Sequence, residues 1–248
     1  MSSEGFTGLA KDLSKNNETI LYDQRGTGAS TLKFLDSSSV NMELMLQDME
    51  VLRKHLNIDS WIILGHSFGG MLASYYTSRY PDKVKGLILS SSGGIDLELL
   101  SYLNISSRLN KSERDSLDYW NIRIANGDTS YQARLERGTF LAPAYVYNKK
   151  YVPIIAERLT QGNSKINGLI WSDLGKIHFD CAKRLQTFKR PVIIIQGEQD
   201  IIEKKTAFKA ANVFSNAKVV FMEHCGHYGW LDARAKYLME INSFLANL

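Results

Sequence analysis

The stretch Trp61-Ile62-Ile63-Leu64-Gly65-His66-Ser67-Phe68-Gly69-Gly70 joins an apolar run to a helical pattern through one serine. Four consecutive apolar residues between Ser60 and Gly65 suit a parallel strand buried on both faces. Gly70 to Tyr80 reads as a helix that stops before Pro81. A strand that becomes a helix within a residue or two forces the turning residue into a strained backbone conformation, so its neighbours must be small. Gly65 and Gly69 are expected to supply that room, and residues 65–69 fit the G-x-S-x-G turn that lifts a serine hydroxyl above a sheet. The helix beyond offers free N–H groups to negative charge.

Around this stretch lies a chain of 248 residues, long enough for one large core and one or two domains. Its 44% hydrophobic and 23% charged residues are ordinary for a globular protein. Lys and Arg are scattered and the net charge is only +4, so nucleic acid is not an expected partner. No apolar run approaches the roughly 18 residues of a membrane span, and no membrane partner is expected. Cys181 and Cys225 have no metal-binding spacing and are expected to be reduced, partly buried thiols. Met1 to Gly5 lacks the basic and apolar regions of a secretion signal, which makes the cytoplasm the expected location.

In chain order, Ser2 or Ser3 is positioned to cap a helix with Phe6, Leu9, Ala10 and Leu13 on one side. Thr19 to Tyr22 reads as a short strand that leaves through Asp23-Gln24-Arg25-Gly26-Thr27-Gly28. A helix from about Val40 to His55 carries Leu44, Met45, Met49, Leu52 and Leu56 along one side. Together, Tyr22 to Ser30 and Gly65 to Gly70 resemble the α/β-hydrolase superfamily. The Asp23-Gln24-Arg25-Gly26 loop is most similar to that of proline iminopeptidases. The resemblance covers residues 1 to about 94 and 186 to 248.

It implies an α/β-hydrolase fold: a mostly parallel central sheet flanked by helices, with 1–94 and 186–248 as the core and 95–185 as a helical cap. Strands are expected at Gly86 to Leu89, Val192 to Ile195 and Lys218 to Met222. The cap region shows helical patterns broken at Asn126-Gly127-Asp128, Pro143, Pro153 and Gly162-Asn163. A closing helix from Ala233 to Leu248 would turn Leu238, Ile241, Leu245 and Leu248 inward. The resemblance also implies an earlier strand ending in a His-Gly-Gly-Pro-Gly type loop, lying in the sheet between the strands at Ile20 and Ile62. The chain starts just past that loop, so Met1 is expected to be an internal methionine of a longer protein.

A serine hydroxyl attacks a carbonyl only when a base takes its proton, and the base needs a carboxylate to orient it. Asp200 follows the strand at 192–195, His227 follows the strand at 218–222, and the order Ser67, Asp200, His227 is that of α/β-hydrolases. Glu198 and His224 are rivals for the acid and base, although Gly226-His227 matches the family's Gly-His pair and His224 does not. The Phe68 N–H is the expected oxyanion donor. His66 is expected to line or pack beneath the serine turn. His55 ends a helix, and His178 has no assigned part.

The resemblance implies acyl transfer to water, on a small-molecule or short-peptide substrate, without metal or cofactor. Proline iminopeptidases hold the substrate amine with acidic cap residues near a Trp-Ser-x-Trp-Glu stretch, of which only Trp171-Ser172-Asp173 is present here. Trp171, Glu136, Glu157 and Asp173 are therefore candidate substrate-binding residues, together with His66 beside the serine. Three readings stay open: an aminopeptidase of the proline iminopeptidase type, a carboxylesterase on small acyl esters, and a non-catalytic binding protein of the same fold.

Overall fold

The computed structural model describes residues 1–102 and 105–248. Four strands, β1 (Trp61–His66), β2 (Val84–Ser90), β3 (Val192–Gly197) and β4 (Ala217–Met222), form one sheet in chain order, and every neighbouring pair is parallel. Four of the five expected strands are present, each one to three residues longer than its expected run.

Alternation along these strands builds two cores. Leu87 and Leu89 of β2 and Val192 and Ile194 of β3 face one side. Ile88, Ile193 and Ile195 face the other. The first side is covered by α2 (Met42–His55), α3 (Phe68–Arg79) and α9 (Lys204–Val213), and the second by α1 (Thr7–Leu13) and α11 (Arg234–Ala246). Residues buried on both faces explain why β2 and β3 read as unbroken apolar runs.

Several expectations need correction. Thr19 to Tyr22 form no strand. A strand exists only by pairing, β1 pairs with β2 alone among the described residues, and no second strand lies along residues 19–22. Neither Ser2 nor Ser3 caps α1, which follows a 3₁₀ turn at Ser3–Phe6 and has Phe6 at its N-cap. The buried face of α2 is rotated from the expected one and includes Leu46, Glu50 and Arg53. It tolerates charge because Arg53 grips Glu50 through two bonds of 2.8 Å, Tyr76 donates to the same carboxylate, and Arg53 also reaches Ile58 O. On α11, Tyr237 and Ile241 are the buried residues, while Leu248 is 48% exposed. Tyr237 can be buried because its hydroxyl donates to Ser90 Oγ at 2.9 Å.

The loop at 23–30 is tied down rather than left free. Arg25 donates to both oxygens of Asp48 (2.7 and 2.6 Å) and to the carbonyls of Ser39 and Leu44. Asp23 accepts from the N–H groups of Ser3 and Ala29.

Between β2 and β3 the chain is helical: α4 (Lys111–Ala125), α5 (Tyr131–Leu141), α6 (Val152–Leu159), α7 (Ser164–Lys176) and the short α8 (Ala182–Leu185). Its two ends meet at an Asp96–Asp180 bridge, next to which Cys181 N–H donates to Ile95 O at 2.9 Å. Pro153 starts α6 instead of breaking a helix, since the first helical turn needs no N–H donor there. Asn163, by contrast, caps α7 through Ile166 N–H.

Candidate active site

Ser67 joins β1 to α3 with φ +55° and ψ −121°, a region L-residues rarely occupy. Its carbonyl accepts from Gly70 and Gly93 N–H, and its own N–H donates to Ser90 O at 3.1 Å, so the strained residue is held from both sides. Only one of the two expected glycines is needed for space. A Cβ on Gly65 would lie 2.3 Å from Gly69 O, whereas a Cβ on Gly69 would meet nothing within 4 Å. The Phe68 N–H begins α3 and has no carbonyl partner within that helix. Ser67 is half-buried, and its Oγ makes no hydrogen bond among the described residues.

Asp200 and His227 lie on the loops that follow β3 and β4, and both are buried at 2% exposure. His227 Nδ1 donates to Asp200 Oδ1 at 2.7 Å, which leaves Nε2 with the lone pair of a base. Ile202 N–H donates to the same carboxylate oxygen at 3.0 Å. Two contacts stitch the acid loop to the base loop: Gln199 N–H donates to Cys225 O and Cys225 N–H donates to Gln199 Oε1. The rivals are elsewhere. Glu198 pairs with Lys204 at 3.1 Å, and exposed His224 stacks on Tyr147.

His66 is packed among aromatic rings, 4.5 Å between centroids from His227 and 4.7 Å from Trp230, with Phe6 and Tyr228 completing the cluster. Its Nδ1 donates to Ser90 O at 3.1 Å. Burial, reinforced by His227 and Arg158, pushes its pKa well below the ordinary histidine value, so it stays neutral. It is buried to 9% exposure.

Of the expected substrate-binding residues, His66 packs on the His227 ring, and the other four lie on helices of the segment between β2 and β3. Trp171 sits on α7 and is 47% exposed. Glu136 accepts from Gln132 within α5, Glu157 on α6 accepts from the Tyr131 hydroxyl, and Asp173 accepts from Met42 N–H at the start of α2. Among the described residues, none of the four has a hydrogen bond or ring contact with Ser67, Asp200 or His227. A cleft of about 250 Å³ brings Glu157 together with Arg158, Tyr228 and Trp230, without Ser67 in its wall. Among the described residues, no group of three or more His, Cys, Asp or Glu is placed to hold a metal ion, and no helix is long and apolar enough to cross a membrane.

Sequence reasoning missed Asp232, at the end of α10 (Gly229–Asp232). Its carboxylate accepts from Gly226, Tyr147 and Asn148 N–H. All three donors are backbone groups, and two of them lie more than 80 residues away in the chain, so no side-chain pattern could have signalled it.

Comparison with known proteins agrees with this architecture. The chain is 27% identical over 252 residues to a proline iminopeptidase of Heyndrickxia coagulans, covering 96% of this chain and 84% of that protein. It is 24% identical over 265 residues to the proline iminopeptidase of Lactobacillus helveticus, covering 98% and 86%. A solved serine hydrolase from the polyaromatic-hydrocarbon-degrading bacterium Cycloclasticus zankles shares the fold with TM-score 0.74 at 15% identity, over 99% of this chain and 85% of that one. The meta-cleavage product hydrolase of Pseudomonas fluorescens does so with TM-score 0.73 at 15% identity, over 99% and 86%. A family model described as alpha/beta hydrolase fold matches residues 1–233, and the chain therefore belongs to the alpha/beta hydrolase fold family.

Proposed function

We propose that this chain is a serine hydrolase that cleaves an amide or ester through an acyl-enzyme on Ser67. The observation that carries the reading is a positive-φ serine at the end of β1 together with a buried Asp200–His227 pair on the loops after β3 and β4, all at the C-terminal ends of strands of one parallel sheet. His227 Nε2 would take the Ser67 proton as Oγ attacks the substrate carbonyl. The imidazolium so formed is stabilised by Asp200, and the developing oxyanion by the Phe68 N–H. Collapse of the tetrahedral intermediate expels the amine or alcohol, which receives the proton from His227. Water then attacks the acyl group by the same route in reverse. An apo site without a Ser67 hydrogen bond is compatible with this scheme, since such contacts often tighten only on substrate binding.

The substrate class favoured by the sequence relatives is a short peptide that loses its N-terminal residue, with the helical segment 95–185 acting as a cap over the site. A second reading, a carboxylesterase on small acyl esters, is favoured by one observation: Glu136, Glu157 and Asp173 are each engaged with neighbouring protein groups. Turnover of proline amides against that of short acyl esters, in the parent and in Ser67→Ala, tests both. Serine-dependent turnover of proline amides supports the aminopeptidase, ester turnover alone supports the esterase, and turnover unaffected by Ser67→Ala refutes the proposal.

A further inference from the structure

We propose that Asp232 is a positioning residue for the base, clamping the His227 loop to the helical segment between β2 and β3. The inference rests on reading His227 as the base. One carboxylate accepts three backbone donors from two distant stretches: Gly226 N–H at 2.9 Å and Tyr147 N–H at 2.8 Å on Oδ2, and Asn148 N–H at 2.9 Å on Oδ1. A fourth bond runs the other way, from His227 N–H to Tyr145 O at 2.7 Å. Residues 145–148 and 226–227 are thus sewn together around Asp232, at the residue immediately before the base and at the base itself. The approach is so close that a Cβ on Gly226 would lie 2.5 Å from Tyr145 O.

The acid is secured separately. Asp200 is fixed by Ile202 N–H and by the Gln199–Cys225 contacts, all within the loops after β3 and β4. Asp232 hydrogen-bonds through one side chain both to the base loop, at Gly226 N–H, and to Tyr147 and Asn148 N–H. The placement of His227 Nε2 therefore depends on how residues 145–148 are held. A charged acceptor suits the task, because hydrogen bonds to a carboxylate are stronger than those to a neutral oxygen. An asparagine there could serve at most the two donors on one oxygen and would present its NH₂ to the remaining N–H.

The test uses the full chain and its Asp232→Ala and Asp232→Asn variants, with Asp12→Asn as control. Asp12 is a carboxylate paired with Lys15 and Arg234, remote from the triad in the hydrogen-bond network. Fluorophosphonate labelling at Ser67 is followed against probe concentration, which separates probe affinity from the maximal labelling rate, and amide exchange is read at 145–148 and 224–228. A displaced imidazole slows the proton transfer from Ser67 and so lowers the maximal rate, while probe affinity is unchanged.

Asp232→Ala is expected to show a maximal labelling rate at least tenfold lower at unchanged probe affinity, with faster exchange in both segments. Asp232→Asn is expected to fall between it and the parent, and Asp12→Asn to stay within about twofold of the parent. If Asp232→Ala does not fold, Asp232→Asn carries the test alone. A parent-like maximal rate in a folded Asp232 variant overturns the proposal, even if exchange accelerates, because the carboxylate would then be structural only. A folded parent that takes no label refutes the serine-hydrolase reading and removes the base that Asp232 would position. That outcome is distinct from failure of Asp232 alone.

Discussion

Substituting Gly226 by alanine moves the base without touching any side chain of the triad. The added Cβ would stand 2.5 Å from Tyr145 O and 3.1 Å from Tyr147 N. Ordinary van der Waals contact begins near 3.4 Å, so the base loop and residues 145–147 must part by about 0.9 Å. Both partners are backbone, and neither can rotate away. Overpacking of this kind costs about 1–3 kcal/mol, and in a chain of this size each kcal/mol lowers Tm by about 2–4 °C. The separation also threatens the His227 N–H bond to Tyr145 O and the Gly226 N–H bond to Asp232. A misplacement near 1 Å in a catalytic group costs roughly a hundredfold in rate. Thermal unfolding and the rate of Ser67 acylation by an activated ester, measured on the same samples, should therefore both change. A Gly226→Ala protein that acylates at the parent rate would refute the argument that this contact sets the base.

Two further outcomes follow from groups that hold the fold. Arg25→Ala removes the paired bonds to Asp48 and those to Ser39 O and Leu44 O, and should lower stability by about 2–3 kcal/mol in urea unfolding. Because Arg25 touches none of the triad, labelling of the folded fraction should be unchanged; a selective loss of labelling would mean that the loop reaches the site. Glu50 has its pKa lowered from 4.5 to about 2, chiefly by the bonds from Arg53. A depressed folded-state pKa contributes stability that is fully present above the unfolded value and lost as pH falls through the folded one. Tm should therefore drop on acidification from about pH 4.5 to 2, with a shallower fall in Glu50→Gln; parallel curves would contradict the assignment.

The elements legible from sequence were those whose cause is local. The apolar runs of β2 and β3 are buried, those of β1 and β4 are largely half-buried, and the Gly65 to Gly70 turn carries its own strain, so all of them show in consecutive residues. Thr19 to Tyr22 looked equally strand-like, but pairing is decided by what lies alongside, and nothing in that stretch encodes its neighbour. Tyr237 was overlooked as a core residue because its burial depends on a hydroxyl partner, Ser90, far away in the chain. Glu136, Glu157 and Asp173 have side chains fit for an amine, yet the structure engages each with a local group. The Asp200–His227 pair was readable because each residue follows a strand, while Asp232 was invisible because it answers to backbone N–H groups.

The most direct measurement is intact mass after exposure of the parent chain and Ser67→Ala to a fluorophosphonate probe, with the labelled peptide identified. A strained serine served by the His227–Asp200 pair predicts one adduct on the parent, located at Ser67, and none on Ser67→Ala. A folded parent without an adduct, or an equal adduct on both proteins, would contradict Ser67 as the activated nucleophile.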